Sequence, residues 1–342
     1  MVKDVQATVE NYWNILGIGP WDIYSWEAPL VYDRKYHGKP TWAREKIAKA
    51  QVGAVELELV QPVEGDSVYR DFLMEHGEGL HHMNFVVDDV DETAEILAKE
   101  GFPTLQSGRV GSPECKAGYN YIYIEPLHTI WEPTTSRGIA LEHARYPDMT
   151  QTSPAKVKVK EIKQVAMVVK DIQATVENYW SILGIGPWDI YSWEAPLVYD
   201  RKYYGKPTWA REKIAKAQVG AVELELCQPV EGDSVYRDFL MGHGEGLHHM
   251  NFVVDDVDET AEILAKEGFP TLQSGRRGPP EYKGGYNYIY IEPLHTIWEP
   301  VHKSKGADVK PIRYPKNSTD VSRGVQALIG EEKTAEKQAS PE

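Results

Sequence analysis

The stretch Gly246-Leu247-His248-His249-Met250-Asn251-Phe252-Val253-Val254-Asp255-Asp256 occurs twice, because Gly79 to Asp89 reads identically. Two adjacent histidines open an apolar run that closes on paired aspartates. The segment after it, Val257 to Glu267, has apolar residues at helical spacing and stops at Gly268. Outward from this stretch the identity continues. Residues 2–133 match residues 169–300 with nine differences, among them Val5/Ile172, His37/Tyr204, Val60/Cys227, Glu75/Gly242, Val110/Arg277 and Cys115/Tyr282. A period this long marks a duplicated domain, not a solenoid.

Each copy reads in the same order. Asp171 to Leu183 predicts a helix with Asp171 as its cap, since a carboxylate there accepts the first free N–H groups. Gly184-Ile185-Gly186-Pro187 ends it. An aromatic segment broken by prolines follows, Trp188 to Trp209. Ile214 to Pro229 alternates in its core as a strand does. The His-His strand and its helix come next. Tyr286 to Glu292 and Thr296 to Glu299 then read as two strands joined by a Pro-Leu-His turn. The order is β-α-β-β-β twice per copy. Lys156 to Val169 opens the second copy with a strand pattern. Met1 aligns with Val168, so the first copy is read as lacking that first strand. The boundaries expected are domain 1 at 1–133, a linker at 134–160, domain 2 at 161–300 and an extension at 301–342. Linker and extension share Arg-Tyr-Pro at 145–147 and 313–315. The charged end, residues 330–342, is expected to be disordered.

Bulk properties narrow the function classes. The chain has 342 residues and a net charge of -15. Nucleic acids and anionic membranes are polyanions and repel such a surface. No apolar run reaches the ~18 residues needed to span a bilayer, and the first residues do not read as a signal peptide. Cys115 and Cys227 form no CxxC pair, which predicts a reducing, cytoplasmic setting. A small-molecule substrate is the partner expected.

Four strands carry a polar residue where a half-buried strand should be apolar. Gln164 sits in KQVAMVV. Glu223 and Glu225 share one face of AVELELCQP, because strand side chains alternate. His249 shares a face with Asn251 and Val253, which assigns His248 to the opposite face as a structural residue. Glu299 shares a face with Ile297. Hard oxygen donors with one imidazole suit Mg, Mn, Co, Ni or Zn, and the absence of cysteine ligands argues against a structural zinc. A register one pleat off would exchange Glu225 for Glu223. Trp188, Tyr191, Trp193, Trp209 and Tyr288, with Asn251, are candidates to line a pocket, although aromatic residues are also ordinary core material. Arg276 and Arg277 are candidates for a phosphate or carboxylate contact against the default of a solvated loop. Lys202, Lys206 and Arg211 have the same two readings.

At these residues the chain resembles the vicinal oxygen chelate superfamily, also called the glyoxalase fold, over both copies. HHMNFVVDDVDETAEILAKEGF and the YIYIEP…TIWEP ending look most like methylmalonyl-CoA epimerase. The polar set looks like glyoxalase I. The resemblance implies an α+β fold of tandem glyoxalase-like domains, each of two βαβββ modules forming a cupped mixed sheet. It implies one divalent metal ion per complete site, held by Gln164, Glu225, His249 and Glu299 in the second copy. In the first copy it implies Glu58, His82 and Glu132, with no first-strand ligand. Gln164 departs from the histidine that epimerases carry there. The chemistry implied is that of an isomerase, epimerase or lyase moving a proton through a metal-stabilised enolate of a carbonyl or acyl-thioester substrate. Glu299 and Glu132 would then combine ligand and base roles. Two alternatives stand beside it. One is a non-haem iron extradiol-type dioxygenase, which two histidines and one carboxylate suit better. The other is a non-catalytic small-molecule-binding protein of the resistance type. Family members pair modules within or between chains, so a homodimer is open beside pairing of the two copies.

Overall fold

The computed structural model describes residues 1–112, 117–135, 143–147, 151–278, 284–302 and 310–316. The charged tail and Cys115 lie outside the described residues. The second copy forms one 11-stranded mixed sheet, whereas the first forms separate sheets of four and six strands. One strand accounts for the difference. Ile162–Val168 pairs in parallel with Val222–Gly232 and antiparallel with Gly246–Val254. It thereby joins the two halves of the second cup. In the first copy no described strand stands between Val55–Gly65 and His82–Val86. Backbone bonds from Val2 N to Val60 O (3.0 Å) and from Gly79 N to Met1 O (3.1 Å) connect the halves there.

The first helix of the second copy spans Ile172–Leu183, and the Asp171 carboxylate accepts from Gln173 N and Ala174 N as the sequence predicts. Its buried face is Ile172, Val176, Tyr179 and Leu183. That face does not pack on its own copy alone. Val176, Tyr179, Leu183 and Trp188 share a core with Ile122, Leu127 and Trp131 of the first copy. In mirror image, Val9, Tyr12, Leu16 and Trp21 share one with Phe252, Leu294 and Trp298 of the second. Each such side chain contributes about 1.5–3 kcal/mol on burial, so the two copies hold one another together. Polar pairs repeat the pseudo-symmetry. Asn11 Nδ2 donates to Pro293 O and Asn178 Nδ2 to Pro126 O. His128 meets Glu245 and His295 meets Glu78.

Three elements differ from the sequence reading. Ile214 to Pro229 is not one strand but the core of a hairpin, Ala210–Val219 against Val222–Gly232. The chain turns at Gly220, whose φ of 59° favours a residue without a Cβ. The segment Trp188 to Trp209 contains strands Trp188–Trp193 and Val198–Tyr203. Its prolines fall between these strands and at a short hairpin edge, where no ladder donor is lost. Val198–Tyr203 crosses to pair with Thr271–Arg277. Finally, Val235–His243 is a helix capped by Ser234. Only Val235 and Tyr236 are buried in it, which is too thin an apolar stripe to read as a period. The repeated Arg-Tyr-Pro also has a place. Ala144–Tyr146 and Ile312–Tyr314 pair at the edges of Trp21–Trp26 and Trp188–Trp193. Arg145 and Arg313 there bind Asp22 and Asp189. Among the described residues no helix is long and apolar enough to cross a membrane.

Candidate metal centre

Four neighbouring strands of the second sheet run in the order Val222–Gly232, Ile162–Val168, Gly246–Val254, Thr296–His302. Among the polar side chains they turn into the cup are Glu225, Gln164, His249 and Glu299. Register brings them to one level. Ala166 stands opposite both Glu225 and His249, and Asn251 opposite both Gln164 and Glu299. Ala166 shares a face with Gln164, so only a methyl group fills the floor between the ligands. His249 Nε2 lies 3.5 Å from Glu225 Oε2 and 3.5 Å from Glu299 Oε2. Donor atoms ~2.1 Å from a common ion stand about 3.0–3.4 Å apart in octahedral or tetrahedral arrangement, so this spacing suits a shared cation. His249 Nε2 and Gln164 Nε2 are buried without hydrogen-bond partners, and each such orphan costs about 1–3 kcal/mol. Turning the Gln164 amide offers its oxygen at the same place. Hard oxygens with one imidazole fit a divalent ion.

The first copy repeats the arrangement. His82 Nε2 lies 3.4 Å from Glu58 Oε2 and 3.4 Å from Glu132 Oε2. The ligand atoms of these three residues all lie within 4.8 Å of one another. The sequence reading left this cup in question for want of its first strand. The three side chains meet regardless.

The surroundings orient and charge the ligands. Asn251 Nδ2 donates to Glu299 Oε2 at 3.0 Å, and Asn84 to Glu132 at 2.9 Å. The Lys216 ammonium bridges Glu223 (2.8 Å) and Glu225 (3.1 Å). Glu225, not Glu223, is the residue that reaches His249. Burial raises the proton affinity of Glu225, but Lys216 and then His249 outweigh it and hold the carboxyl below its usual range. Burial pulls His249 down, yet the Glu225 and Glu299 carboxylates beside it lift it to about 9. His82 is lifted to about 9 in the same way by Glu132 and Glu58.

His248 does not simply face away. The Ala166–His249 and Met167–Leu247 pairs skip it, so it sits in a β-bulge. Its Nδ1 lies 2.9 Å from His249 Nδ1, and its ring packs on Tyr236 and Phe239. For His249 Nε2 to offer a lone pair, His249 Nδ1 must carry the proton and donate to His248 Nδ1. Strict alternation hides such a contact.

A cavity of about 320 Å³ opens above the ligands, lined among others by Gln164, Glu225, Glu299, Trp193, Tyr288 and Arg277. Asn251 lines it too. A Cβ at Gly275 would stand 2.6 Å from Tyr286 Oη, so glycine there admits that ring to the wall. The other sequence candidates lie elsewhere. Trp188 is fully buried in the inter-copy core and donates Nε1 to Ile185 O at 2.8 Å. Tyr191 is half-buried on the same strand outside the lining. Trp209 is 51% exposed. Lys202, Lys206 and Arg211 do not line the cavity. The sequence reading missed Lys216 and Tyr236. Lys216 shares a strand face with Glu212 and Ile214, but only the hairpin register sets it opposite Glu225.

Comparison with known proteins places this geometry in a family. The model of the Glyoxalase/Bleomycin resistance protein/Dioxygenase superfamily matches residues 1–119 and 163–290. An uncharacterized protein of Bacillus subtilis (strain 168), YqjC, is 37% identical over 83 residues, 24% of this chain and 57% of that protein. The chain thus spans little more than half the length of that relative. A mutant 4-hydroxymandelate synthase from Streptomyces coelicolor superposes with a TM-score of 0.57 at 15% identity, covering 90% of this chain and 92% of the other. At that identity the likeness is one of fold. A variant of Streptomyces coelicolor methylmalonyl-CoA epimerase, in complex with 2-nitronate-propionyl-CoA, matches at 23% identity with a TM-score of 0.32, over 42% of this chain and 97% of that one.

Proposed function

The chain belongs to the glyoxalase/bleomycin resistance protein/dioxygenase superfamily, and from that premise we propose a divalent-metal-dependent isomerase, epimerase or lyase that moves a proton beside a carbonyl or acyl-thioester group. The observation that carries this reading is the buried, unpartnered Nε2 of His249, 3.5 Å from two carboxylates beneath a cavity. A divalent ion held by Gln164, Glu225, His249 and Glu299 would supply positive charge against the negative charge developing on a substrate carbonyl oxygen.

The chain's own residues divide the remaining work. Glu225 is committed to Lys216 and so acts as an anionic ligand. Glu299 has a neutral partner, Asn251, which fixes one oxygen and leaves the carboxylate facing the cavity. It is therefore the carboxylate we assign to take and return the proton. Trp193, Tyr286 and Tyr288 wall the space. One imidazole with two carboxylates and an amide is the donor set of proton transfer, not of the two-histidine, one-carboxylate oxygenases. His248 is not set among these donors: its Nδ1 is turned onto His249 Nδ1 and its ring packs on Tyr236 and Phe239.

The test is solvent deuterium incorporation into a panel of acyl-CoA and 2-keto compounds by the metal-loaded protein. Metal-dependent exchange is expected, with Glu299→Gln lowering it by about 10²- to 10⁴-fold. Dioxygen uptake with bound iron and no exchange would overturn the proposal in favour of a dioxygenase. Tight ligand binding with neither reaction would overturn it in favour of a binding protein.

A further inference from the structure

We infer that the second cup takes an anionic substrate, and that Arg277 holds its carboxylate or phosphate group at a point apart from the four ligand side chains. The inference takes this cup to be the substrate site, as proposed above. Arg277 ends the strand Thr271–Arg277, is half-buried and lines the same cavity as Gln164, Glu225 and Glu299. The other cations around it are committed. Lys216 is held by Glu223 and Glu225, and Lys163 by Glu161. Arg276, its neighbour, binds Asp258 at 2.6 Å. Arg277 has no carboxylate partner among the described residues, and its charge opposes that of Lys216.

The first cup supplies the control. At the same place in the same fold stands Val110, 7% exposed and packed with Val31 and Tyr119. Among nine differences between copies, this one alone introduces a cation, and it does so on the cavity wall. The fold accepts valine there, so folding does not require the charge. A partly dehydrated guanidinium with no counter-ion among the described residues is costly. An anion entering the cavity removes that cost, and the planar fork of arginine matches the two oxygens of a carboxylate or phosphate.

The experiment is calorimetric titration of the full chain with inorganic phosphate and with succinate, both stripped of metal and loaded with zinc. Arg277→Val copies the first cup and should fold; Arg277→Lys keeps the charge without the fork. Wild type is expected to bind at least one anion in the stripped form, and the tighter of the two identifies the group. Arg277→Val should weaken that binding at least tenfold, Arg277→Lys less, with zinc affinity unchanged in both. Equal binding by Arg277→Val, or no binding by wild type, overturns the inference. Anion binding lost in Arg277→Val, in a protein that takes no metal and catalyses no exchange, would sink the proposed function and leave this inference standing. The converse result would sink this inference alone.

Discussion

The two cups carry the same histidine and two glutamates on matching strands, yet the second is the more enclosed. His Nε2 lies 3.4 Å from both carboxylates in the first and 3.5 Å from both in the second. Side-chain exposure differs, at 17% for Glu58 against 8% for Glu225, and 9% for His82 against 0% for His249. The first cup keeps its geometry although its sheet is split. The reason lies in the inter-copy cores. One half of the first cup is clamped to the second half of copy two, and the other half to the first half of copy two. Ligand placement is thus set by hairpins and the shared core. The linking strand adds enclosure and the side chain of Gln164.

The strongest way to break this comparison is to remove one histidine at a time. His249→Ala should abolish exchange activity and weaken the second cup's metal by more than about 100-fold, since loss of a mere supporting residue costs 10- to 100-fold. His82→Ala should leave exchange near wild type while removing the weaker class of bound metal. Equal loss of activity from both would mean that the cups are functionally alike. Metal analysis together with exchange rates decides it.

A smaller effect follows from pH. Both histidines rise from 6.5 to about 9 in the metal-free cups. A group whose folded pKa is raised stabilises fully below the unfolded value and loses that contribution as pH climbs through the folded one. The stripped protein should therefore lose stability between pH 6.5 and 9, by about 3 kcal/mol for the enclosed His249 and less for the partly exposed His82. Metal loading should reverse the trend, because a ligand imidazole must first shed its proton. Urea unfolding at pH 6 and at pH 9.5, with and without zinc, measures both slopes. A flat profile in the stripped protein would refute the carboxylate clamp around the imidazoles.

The sequence exposed most of the fold because its signals were local. The Asp171 cap, the alternating strands and the repeat needed no tertiary knowledge. The clustering of these polar residues was legible for a related reason: a polar group on an otherwise apolar strand face is costly, and Gln164, Glu225, His249 and Glu299 each break the pattern. What the sequence hid depends on departures from regularity or on partners distant in the chain. The bulge at His248 defeats period-two counting. Trp188 carries the same pattern as Trp193, but one enters the inter-copy core and the other the cavity wall. Lys216 acquires its meaning only from the hairpin register that sets it opposite Glu225.

The finest test sharpens what the linking strand supplies. Titrated with zinc or manganese, the wild-type chain should display a tight class, the second cup, and a weak class, the first. Gln164→Leu keeps the strand and its enclosure but removes the amide. If the amide is a donor, the tight class should weaken about tenfold, since a neutral ligand contributes less than a carboxylate, and move toward the weak one. The reciprocal change places a copy of residues 161–167 ahead of Met1. It gives the first cup both the enclosure and the glutamine, and metal per chain at limiting concentration should rise from about one to about two. The same graft with leucine in place of its glutamine separates the causes. Tightening by both grafts would assign the effect to exclusion of water from Glu58 and His82. Tightening by the glutamine graft alone would assign it to the amide oxygen, and make the open first cup a three-donor version of the second.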